Sequence, residues 1–361
     1  MWAFSNPVRI EFGAGAAARL PALIGKRRWA LVTYDLPIFH SIAAAIAAEA
    51  GPPLVTVDNI ITNPDVKDLA RSCALFGAAS PKPEVIVALG GGSIIDAAKV
   101  IAAAQGDFSR VLASLKGGAP LDGATFTPII AVPSTAGTGS EVTSWATVWD
   151  QDSGNKYSLA NRALYPEVAL IDPAITVGAP RGLTLATGLD ALSHALESIW
   201  NVNANPVSAN FAVAAAREIL DVLPRLVSDL GNLELRQRQA QAAVMAGLAF
   251  SNTKTALAHN ISYDITLRAG TIHGIACSFS LPTVMRWSQG HNATCDANLR
   301  RIFGDDLAAG AASLAAFLEG LGVSTAPASY GLSAGDWKAL VLKATQGERG
   351  RNFIGQHDLA A

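Results

Sequence analysis

VIVALGGGSIIDAAK, at Val85–Lys99, decides the fold because it joins an apolar strand to a helix through a run of glycines. Its first part, Val85–Leu89, is apolar at every position, which is typical of a central strand buried on both faces of a parallel sheet. The glycines at Gly90–Gly92 have no side chains, so phosphate oxygens can approach the backbone closely. Ser93 lies near the helix N-terminus, where backbone N–H groups and the helix dipole favour an anion. The segment predicts a phosphate-binding loop; the alternative is an ordinary turn between strand and helix.

Strand and helix patterns alternate on both sides of this segment. Helices are predicted at 38–51 (IFHSIAAAIAAEAG) and 66–79 (VKDLARSCALFGAA), and strands at 28–35 (RWALVTYD), 53–60 (PLVTVDNI), 127–133 (TPIIAVP) and 167–176 (EVALIDPAIT). A turn at Asp152–Asn155 between two extended segments predicts a hairpin. This order indicates parallel βαβ units, and therefore an α/β fold with a doubly wound sheet.

The composition of the chain changes near Gly178–Leu183 (GAPRGL). The sequence beyond it is rich in Ala, Leu, Glu, Arg and Gln and has long helical periodicity. We therefore predict two domains, which is also the prior expectation for a chain of 361 residues. Residues 1–180 form a dinucleotide-binding α/β domain with a parallel sheet, and residues 181–361 form an all-helical, metal-binding domain.

Composition excludes several classes of function. Half of the chain is hydrophobic, only 16% is charged and the net charge is −2, so we expect no nucleic-acid partner. The three cysteines have no CxxC spacing, which favours a reducing cytoplasm over a disulfide framework. The N-terminal sequence has no signal-peptide pattern, and no apolar run reaches about 18 residues, so we expect no membrane span. We expect a cytoplasmic homo-oligomer, a dimer, that acts on a small molecule.

Two further segments bear on phosphate binding. Gly13-x-Gly15-x-x-Ala18 matches a dinucleotide fingerprint, and Asp35 follows about 20 residues later. We reject this match because the preceding VRIEF alternates apolar with charged residues, which indicates a strand with one face in water. STAGTGSE, at 134–141, follows the next buried strand and would form a crevice with the glycine loop. Lys156, on the hairpin, could neutralise a phosphate there or be an ordinary solvated lysine.

A second constellation involves Asp190 and three of the six histidines. In GLDALSHALES, Asp190 and His194 are four residues apart, so a helix places them on one face. His259 and His273 would lie about 21 Å apart on one continuous helix, and can share an ion only if the helix breaks, as Gly270 would permit. One Asp and three His suit a divalent iron or zinc ion. The alternative is that each is an ordinary buried, hydrogen-bonded side chain.

The segments GGGSIIDAAK, STAGTGSEVT, ALIDPAIT, TGLDALSHALES and AHNISYDITLRAGTIHGIACSFSLP resemble, in this order, those of the iron-containing (group III) alcohol dehydrogenase family. The resemblance extends from NPVRIEFGAG to about residue 320. It implies a dehydroquinate synthase-like architecture, with a Rossmann-like domain, a helical domain and the site in the cleft between them. It also implies NAD or NADP and a divalent metal, iron or zinc, as cofactors.

The same resemblance implies roles for individual residues. The metal ligands would be Asp190, His194, His259 and His273. The cofactor contacts would be Gly91, Gly92 and Ser93 at the pyrophosphate, Thr135, Thr138 and Lys156 nearby, and Asn63 at the border of the site. Family members often have a histidine where this chain has Tyr263, one helical turn after His259. We name Tyr263 and His273 as catalytic, although a phenol with a pKa of about 10 is a poor proton shuttle and packing against the substrate is an equal alternative.

Cofactor choice depends on the residue that follows the strand WALVT. An acidic residue there usually accepts the ribose hydroxyls and disfavours an extra phosphate. Tyr34 and Asp35 compete for this position, and Asp35 favours NAD over NADP.

A narrower resemblance points to the substrate. MWAFSNPV, ISYDITL, HGIACSFSLP and GERGRNFIG resemble the phosphonate-metabolism branch of the family, the phosphonoacetaldehyde reductase type. A dianionic substrate needs cations, for which the candidates are Arg268, Arg349 and Arg351, each of which could equally be a solvated surface side chain. The substrate pair would be phosphonoacetaldehyde and 2-hydroxyethylphosphonate.

The sequence therefore predicts a metal-dependent oxidoreductase that transfers a hydride between NAD(P)(H) and a small primary alcohol or aldehyde. Alternatives are a dehydroquinate synthase-like lyase that uses metal and NAD, a maleylacetate reductase-like enzyme, and a non-catalytic cofactor-binding protein. The lyase needs several basic residues for a phosphorylated substrate, and the segment around Asp190 is poor in them.

Overall fold

The computed structural model describes residues 1–118, 120–121 and 125–360. These residues form two compact units. The sheet unit comprises Pro7–Thr135 and Ser140–Val177, and the helical unit comprises Met1–Asn6, Ala136–Gly139 and the chain from Gly178 onward.

The sheet unit is built around parallel strands. Its strands are β1 (Arg9–Phe12), β2 (Trp29–Val32), β3 (Val55–Val57), β4 (Val85–Gly90), β5 (Ile129–Pro133), β6 (Trp145–Asp150), β7 (Asn155–Ala160) and β8 (Val168–Ile171). Its helices are α1 (Leu20–Ile24), α2 (Pro37–Ala50), α3 (Val66–Ala78), α4 (Gly92–Ala104) and α5 (Phe108–Leu115). Among the described residues, six strands form one parallel sheet in the order β1-β8-β5-β4-β2-β3, and β6 and β7 form the predicted antiparallel hairpin.

Alternate residues of the central strand face opposite layers of helices. Val85, Val87 and Leu89 of β4 pack in a core with α1 and α2, whereas Ile86 and Ala88 pack with α3, α4 and α5. A strand covered on both faces has to be apolar throughout, which explains the uninterrupted VIVAL run. The predicted doubly wound α/β fold is confirmed.

The chain reverses its direction across the sheet between β2 and β4. Helix α2 connects β2 to β3 on one face, and α3 returns from β3 to β4 on the other. Such a reversal opens a crevice at the carboxyl ends of the two strands, where α/β proteins bind ligands. Strands β2 and β5 lie on opposite sides of β4. The residues after β2 therefore face the glycine loop from one side. The loop after β5, which the sequence predicts as a neighbour of the glycine loop, lies on the other side.

Strand β1 lies at the edge of the sheet, and it buries its charged residue Glu11 while two of its apolar residues are exposed. Glu11 is only 8% exposed and pairs with Arg9 and Arg19 at 2.5 and 3.0 Å, whereas Ile10 and Phe12 are 36% and 37% exposed. The arginines compensate for the burial of the carboxylate, so the charged residue faces inward. The conclusion that β1 is not a central strand stands.

The helical unit follows the predicted periodicity. Its helices are α6 (Arg181–Ile199), α7 (Pro206–Leu226), α8 (Leu233–Thr253), α9 (Leu257–Ala269), α10 (His273–Ser278), α11 (Leu281–Ser288), α12 (Ala293–Phe303), α13 (Leu307–Gly320), α14 (Ala334–Gln346) and α15 (Gln356–Ala360). Helix α6 packs against α7 and α8 and is buried along most of its length. No helix in the described part of the chain is long and apolar enough to cross a membrane.

The predicted helix break is confirmed. Helix α9 ends at Gly270, which has φ 62°, and the Gly270 N–H donates to Thr266 O at 3.1 Å. This left-handed conformation suits glycine because it lacks a Cβ. The next helix, α10, begins at His273, so His259 and His273 lie on separate helices.

Two short segments that the sequence places within residues 1–180 belong to the helical unit. In Ala136–Gly139, a Cβ on Gly137 would lie 2.6 Å from Thr187 Cβ, and one on Gly139 would lie 2.8 Å from Gly247 Cα. The missing side chains let this loop approach α6 and α8 closely. The division into domains 1–180 and 181–361 remains a prediction, because compactness does not show that either part folds alone.

Candidate active site

Helix α6 brings Asp190 and His194 together inside the helical unit. Both are buried, and His194 Nε2 lies 3.7 Å from Asp190 Oδ1. The surrounding helix is almost entirely buried, so each polar side chain on it needs a partner or a ligand.

The break after α9 brings His259 and His273 to the same place. His259 Nε2 lies 3.5 Å from Asp190 Oδ1, and its ring stacks on the His194 ring with centroids 4.7 Å apart. The His273 ring meets the His259 ring edge-on at 5.5 Å. The tertiary structure thus brings together the four residues that the sequence selected as metal ligands.

A fifth donor lies among them that the sequence did not select. Ligand atoms of Asp190, His259, His273 and Cys277 all lie within 4.8 Å of one another. Cys277 is buried and follows His273 by one turn of α10, so the two side chains lie on the same side of that helix. The i, i+4 spacing of a histidine and a cysteine is the signal that could have found it.

The separations in this cluster fit a shared cation better than direct hydrogen bonds. An N–H···O bond spans about 2.7–3.2 Å, whereas ligands about 2.1 Å from a tetrahedral ion are roughly 3.4 Å apart. The distances of 3.5 and 3.7 Å from Asp190 Oδ1 to the imidazoles match the second case. Within the described residues, Asp190 Oδ1 and His259 Nε2 are buried and make no hydrogen bond. The donor set therefore fits a divalent cation.

For Asp190 and His194, electrostatics favours the protonation states that a cation needs, whereas Cys277 and Glu197 raise the pKa of His259 above its ordinary value against the effect of its burial. Burial would raise the pKa of Asp190, but His194, His259 and His273 hold this pKa below its ordinary value. Burial lowers the pKa of His194 to about 4, against the opposing effect of Asp190. At neutral pH the carboxyl group is therefore ionised and this imidazole is neutral, and both can donate lone pairs.

The glycine loop of the sheet unit is a separate cluster. Gly91 precedes α4, Gly92 and Ser93 begin it, and the Asn63 N–H donates to Ser93 Oγ at 3.2 Å. Gly91 has φ −74°, which any residue adopts, and a Cβ there would lie 3.4 Å from Thr135 Oγ1. The glycine therefore leaves open a space beside Thr135 that a phosphate oxygen can use.

Tyr34, and not Asp35, faces this loop. The Tyr34 hydroxyl interacts with the side chains of Ser93 and Thr62, and burial raises the pKa of Tyr34. The Asp35 side chain is 76% exposed and pairs with His40 Nε2 at 3.1 Å. The loop after β2 therefore turns the tyrosine inward and the carboxylate outward.

The remaining predicted cofactor contacts belong to both units. Thr138 belongs to the helical unit, whereas Thr135 stays in the sheet unit. Lys156 Nζ lies 5.3 Å from the centre of the Trp149 ring, and its charge helps to lower the pKa of Asp96, which burial raises. A lysine held over an aromatic ring beside a carboxylate is not simply solvated.

The rejected Gly13–Ala18 loop already holds an internal anion. The N–H groups of Gly15 and Ala17 donate to Asp172 Oδ1 and Oδ2, each at 3.0 Å. Because the carboxylate occupies these donors, the loop is poorly suited to a phosphate.

Known proteins resemble this chain along nearly its whole length. The model named iron-containing alcohol dehydrogenase matches residues 7–173, and that of the C-terminal part of the same family matches residues 184–355. 1-Propanol dehydrogenase PduQ of Salmonella typhimurium is 32% identical over 290 residues, covering 80% of this chain and 74% of its own. The chain belongs to the iron-containing alcohol dehydrogenase family.

Two other known proteins help to show which branch of the family this chain resembles. Phosphonoacetaldehyde reductase of Streptomyces viridochromogenes is 37% identical over 243 residues, covering 65% of this chain and 60% of its own. The crystal structure of sulfoacetaldehyde reductase from Bifidobacterium kashiwanohense with NAD+ has a TM-score of 0.90 at 27% identity, covering 100% of this chain and 99% of that one. These findings confirm the resemblance to the family and its phosphonate-related branch. The protein is therefore an oxidoreductase of alcohols or aldehydes.

Glu197 is a functional candidate of this dehydrogenase that the sequence reasoning missed. It is fully buried, and Oε1 accepts from the N–H groups of Ala258 and His259 at 2.6 and 3.2 Å. Oε2 accepts from Ala256 N at 3.0 Å and pairs with His259 Nδ1 at 2.6 Å. Its position three residues after His194 places it on the face of α6 that carries the candidate ligands, and this spacing was a usable signal.

Gly274 was also missed, and it sets how closely α10 approaches α6. A Cβ on Gly274 would overlap Ala186 O and lie 3.2 Å from Asp190 Cβ. Because Gly274 follows His273 directly, this close contact holds the histidine near Asp190. Tyr263 is half-buried one turn beyond His259 on α9, as the sequence predicts, and its role remains a prediction.

Proposed function

We propose that this enzyme transfers a hydride between NAD(P)(H) and a small primary alcohol or its aldehyde, with a divalent cation at Asp190, His194, His259 and His273. The convergence of these side chains in a buried cluster, where Asp190 Oδ1 and His259 Nε2 make no hydrogen bond among the described residues, carries the proposal. One carboxylate and three imidazoles suit iron(II) or zinc, and the family name favours iron.

Asp190, His194, His259 and His273 would hold the cation, whose chemistry would be polarisation of the alcohol or carbonyl oxygen, and a bound nicotinamide would be the hydride donor or acceptor. The protein's own residues prepare the site for this chemistry. Glu197 fixes the His259 ring so that Nε2 is directed at Asp190. The burial of α6 and α9 around the cluster excludes water from it. On this proposal Tyr263, one turn after His259 on α9, would donate a hydrogen bond within the site.

The glycine loop serves the cofactor. The N-terminus of α4 presents N–H groups at Gly92 and Ser93 beside the space left at Gly91, which suits a pyrophosphate. The structure of a related reductase with NAD+ supports a nicotinamide cofactor for this chain.

For the substrate, we propose an aldehyde that carries an anionic group, phosphonoacetaldehyde in the first instance. The names of two relatives, phosphonoacetaldehyde reductase and sulfoacetaldehyde reductase, describe two-carbon aldehydes with a terminal oxyanion. Among the three candidate arginines, Arg349 fits best, because its side chain is only 14% exposed and buried Nη1 makes no hydrogen bond within the described residues. Arg349 Nη1 lies 3.5 Å from Glu348 Oε1, so the two groups form an ion pair but not a hydrogen bond.

The surroundings of Arg349 connect it to the helix that carries His259. Asn352 Nδ2 donates to Thr255 O at 2.8 Å, just before α9 begins, and a Cβ on Gly347 would overlap the Asn260 side chain. By contrast, Arg268 is 69% exposed and pairs with Asp264, and Arg351 Nη1 donates to Gln346 O. Arg349 is therefore our choice for the anion.

Metal analysis of the freshly purified enzyme, with a screen for aldehyde reduction, tests the general proposal. We expect bound iron or zinc and oxidation of NADH with one or more of glycolaldehyde, lactaldehyde, succinic semialdehyde and phosphonoacetaldehyde. His273→Ala should lose both metal and turnover while remaining folded, and the exposed His357→Ala should lose neither. Full metal occupancy without turnover, or phosphate release without net NADH oxidation, would contradict it.

Arg349→Ala tests the anion. Removing a charged hydrogen-bond donor should lower kcat/KM for phosphonoacetaldehyde by roughly 10- to 100-fold, and leave kcat/KM for an uncharged aldehyde such as propionaldehyde nearly unchanged. Arg351→Ala is the matched control from the same segment. Equal losses with both aldehydes would contradict the assignment of Arg349 and leave the general proposal intact.

A further inference from the structure

Tyr34 occupies the position beside the glycine loop that governs cofactor choice in dinucleotide-binding folds. It follows β2 by two residues, and β2 lies next to β4, the strand that leads into the loop. A Cβ on Gly91 would lie 4.0 Å from the Tyr34 hydroxyl oxygen, so this hydroxyl borders the space that the glycine leaves open. A carboxylate in such a position binds the ribose 2′-hydroxyl of NAD, and its charge repels the 2′-phosphate of NADP. This chain has a phenol there instead.

The groups that contact the Tyr34 hydroxyl are neutral hydroxyls. The Tyr34 hydroxyl interacts with the side chains of Ser93 and Thr62, and Ser93 Oγ also accepts from the Asn63 N–H at 3.2 Å. Burial raises the pKa of Tyr34, so the phenol stays neutral at physiological pH. Because a hydroxyl group both donates and accepts, these three side chains can bond either a ribose hydroxyl or a phosphate oxygen.

The carboxylates of Asp35 and Asp96 are engaged elsewhere. The Asp35 side chain is 76% exposed and lies 3.1 Å from His40 Nε2, and a carboxylate oxygen of Asp58 lies within 4.8 Å of both groups. Solvent and salt screen exposed charges of this kind. Asp96, whose charge acts on Tyr34, accepts two hydrogen bonds within the sheet unit. A 2′-phosphate beside Tyr34 would therefore meet a neutral phenol, and not the carboxylate of Asp35.

We propose that Tyr34 determines cofactor choice in this enzyme, and that it allows NADPH to bind with an affinity close to that of NADH. The Tyr34 hydroxyl can donate to the ribose 2′-oxygen of one cofactor and to the 2′-phosphate of the other, without the charge repulsion that a carboxylate would impose. This replaces the expectation that Asp35 favours NAD. The inference rests on the proposed function, because it concerns the same cofactor site at the glycine loop.

Equilibrium binding to the full-length enzyme is the test, with the Kd for NADH and for NADPH measured by fluorescence in one buffer. We expect the two Kd values of the wild type to lie within about tenfold of each other. Tyr34→Asp should raise the Kd for NADPH at least about tenfold and leave that for NADH nearly unchanged, because a like charge at a binding interface is costly. Tyr34→Phe removes only the hydroxyl and should weaken both cofactors by about 2- to 10-fold. Asp35→Asn is the comparison and should change neither Kd by more than about threefold, because its charge is exposed and screened.

The outcomes separate this inference from the proposed function. A wild-type preference of more than about tenfold for either cofactor would overturn the role of Tyr34 and leave the proposed function intact. The role of Tyr34 is likewise overturned if Tyr34→Asp binds NADPH as tightly as the wild type, or if Asp35→Asn gains affinity for NADPH. Wild-type enzyme that binds neither NADH nor NADPH would overturn the proposed function itself. If Tyr34→Asp fails to fold, unchanged affinities in Tyr34→Phe would count against the inference, and weaker binding of both cofactors would support it.

Discussion

Glu197 Oε2 lies 2.6 Å from His259 Nδ1, and the same carboxylate accepts backbone N–H groups at the start of the helix that carries this histidine. The carboxylate thus fixes both the ring and the helix terminus. Because Nδ1 is held by Glu197, Nε2 is the atom of His259 left for Asp190 and the proposed cation.

Glu197→Gln should weaken metal binding by about 10- to 100-fold, the usual effect of losing an outer carboxylate partner of a metal-bound histidine. The amide keeps the shape of the side chain but turns one acceptor into a donor, which opposes the backbone N–H groups. Metal affinity by chelator competition is the measurement. Glu218→Gln, which removes a half-exposed ion pair with Arg238, is the control and should leave the affinity unchanged. Equal affinities in the two variants would show that Glu197 is only structural.

Gly91→Ala should separate cofactor binding from folding. The backbone of Gly91 accepts any residue, so the thermal midpoint should change little, but the new Cβ would occupy the space beside Thr135 Oγ1. We expect the Kd for NADH, measured by fluorescence, to rise about tenfold or more, which corresponds to about 1.4 kcal/mol.

Gly90→Ala provides the contrast. A Cβ at Gly90 would overlap the Ile94 side chain in the core, so this variant should lose stability as well. If Gly91→Ala binds NADH as tightly as the wild type, the glycine loop does not hold the pyrophosphate.

Gly274→Ala should disrupt the helical unit at the metal cluster. Its Cβ would collide with Ala186 O, so α10 has to move away from α6 and carry His273 with it. We expect a loss of about 1–3 kcal/mol in the free energy of unfolding, together with weaker metal binding. Gly182→Ala on α6 is the matched control, because nothing lies within 4 Å of its added Cβ. The stability of Gly182→Ala should be unchanged or slightly increased. If Gly274→Ala binds metal as tightly as the wild type, Gly274 does not position His273.

Stability should depend on pH through Glu141 in the sheet unit. Burial raises the pKa of Glu141 to about 7, with Lys99 opposing the shift, and burial lowers the pKa of Lys99 to about 8. A raised carboxyl pKa means that the folded protein holds this proton more tightly than the unfolded chain. The stability that protonated Glu141 contributes is therefore fully present below the pKa that this residue has in the unfolded chain. It is lost as the pH rises through about 7, the pKa of Glu141 in the folded protein. Lys99 stays protonated in both states over most of this window.

Glu141→Gln removes that titration. The thermal midpoint of the variant minus that of the wild type should rise between about pH 5 and pH 7.5. The corresponding change in the free energy of unfolding is on the order of 1–3 kcal/mol. Using the difference cancels the opposite contribution of His194, whose pKa burial lowers to about 4. The exposed Glu49→Gln is the control, and its difference should stay flat. A flat difference for Glu141→Gln as well would contradict the prediction.

The course of the chain was predictable to a large extent because its signals are local. The apolar run at Val85–Leu89, the alternation of strands and helices and the glycine at 270 each depend on neighbours in sequence. The same is true of Asp190 and His194, whose spacing on α6 is fixed by the helical repeat. Burial on both faces of β4 then follows from its composition.

The parts that failed or were missed depend on groups distant in sequence. The inward position of Glu11 requires Arg19, and the use of the Gly13–Ala18 donors by Asp172 requires β1 to lie beside β8. The loop at Ala136–Gly139 joins the helical unit because its glycines meet α6 and α8. No local pattern encodes such encounters.

By itself, the sequence determined the order of strands and helices, the α/β and helical parts, the family and the side chains able to bind a phosphate or a metal. Only the tertiary structure decided which of these side chains meet: Cys277 beside His273 and Asp190, Glu197 behind His259, and Tyr34 rather than Asp35 at the glycine loop. The reason is physical. Periodicity fixes which face of an element is buried, but contacts between elements depend on how closely their backbones approach, and here that distance is set by packing at residues such as Gly274.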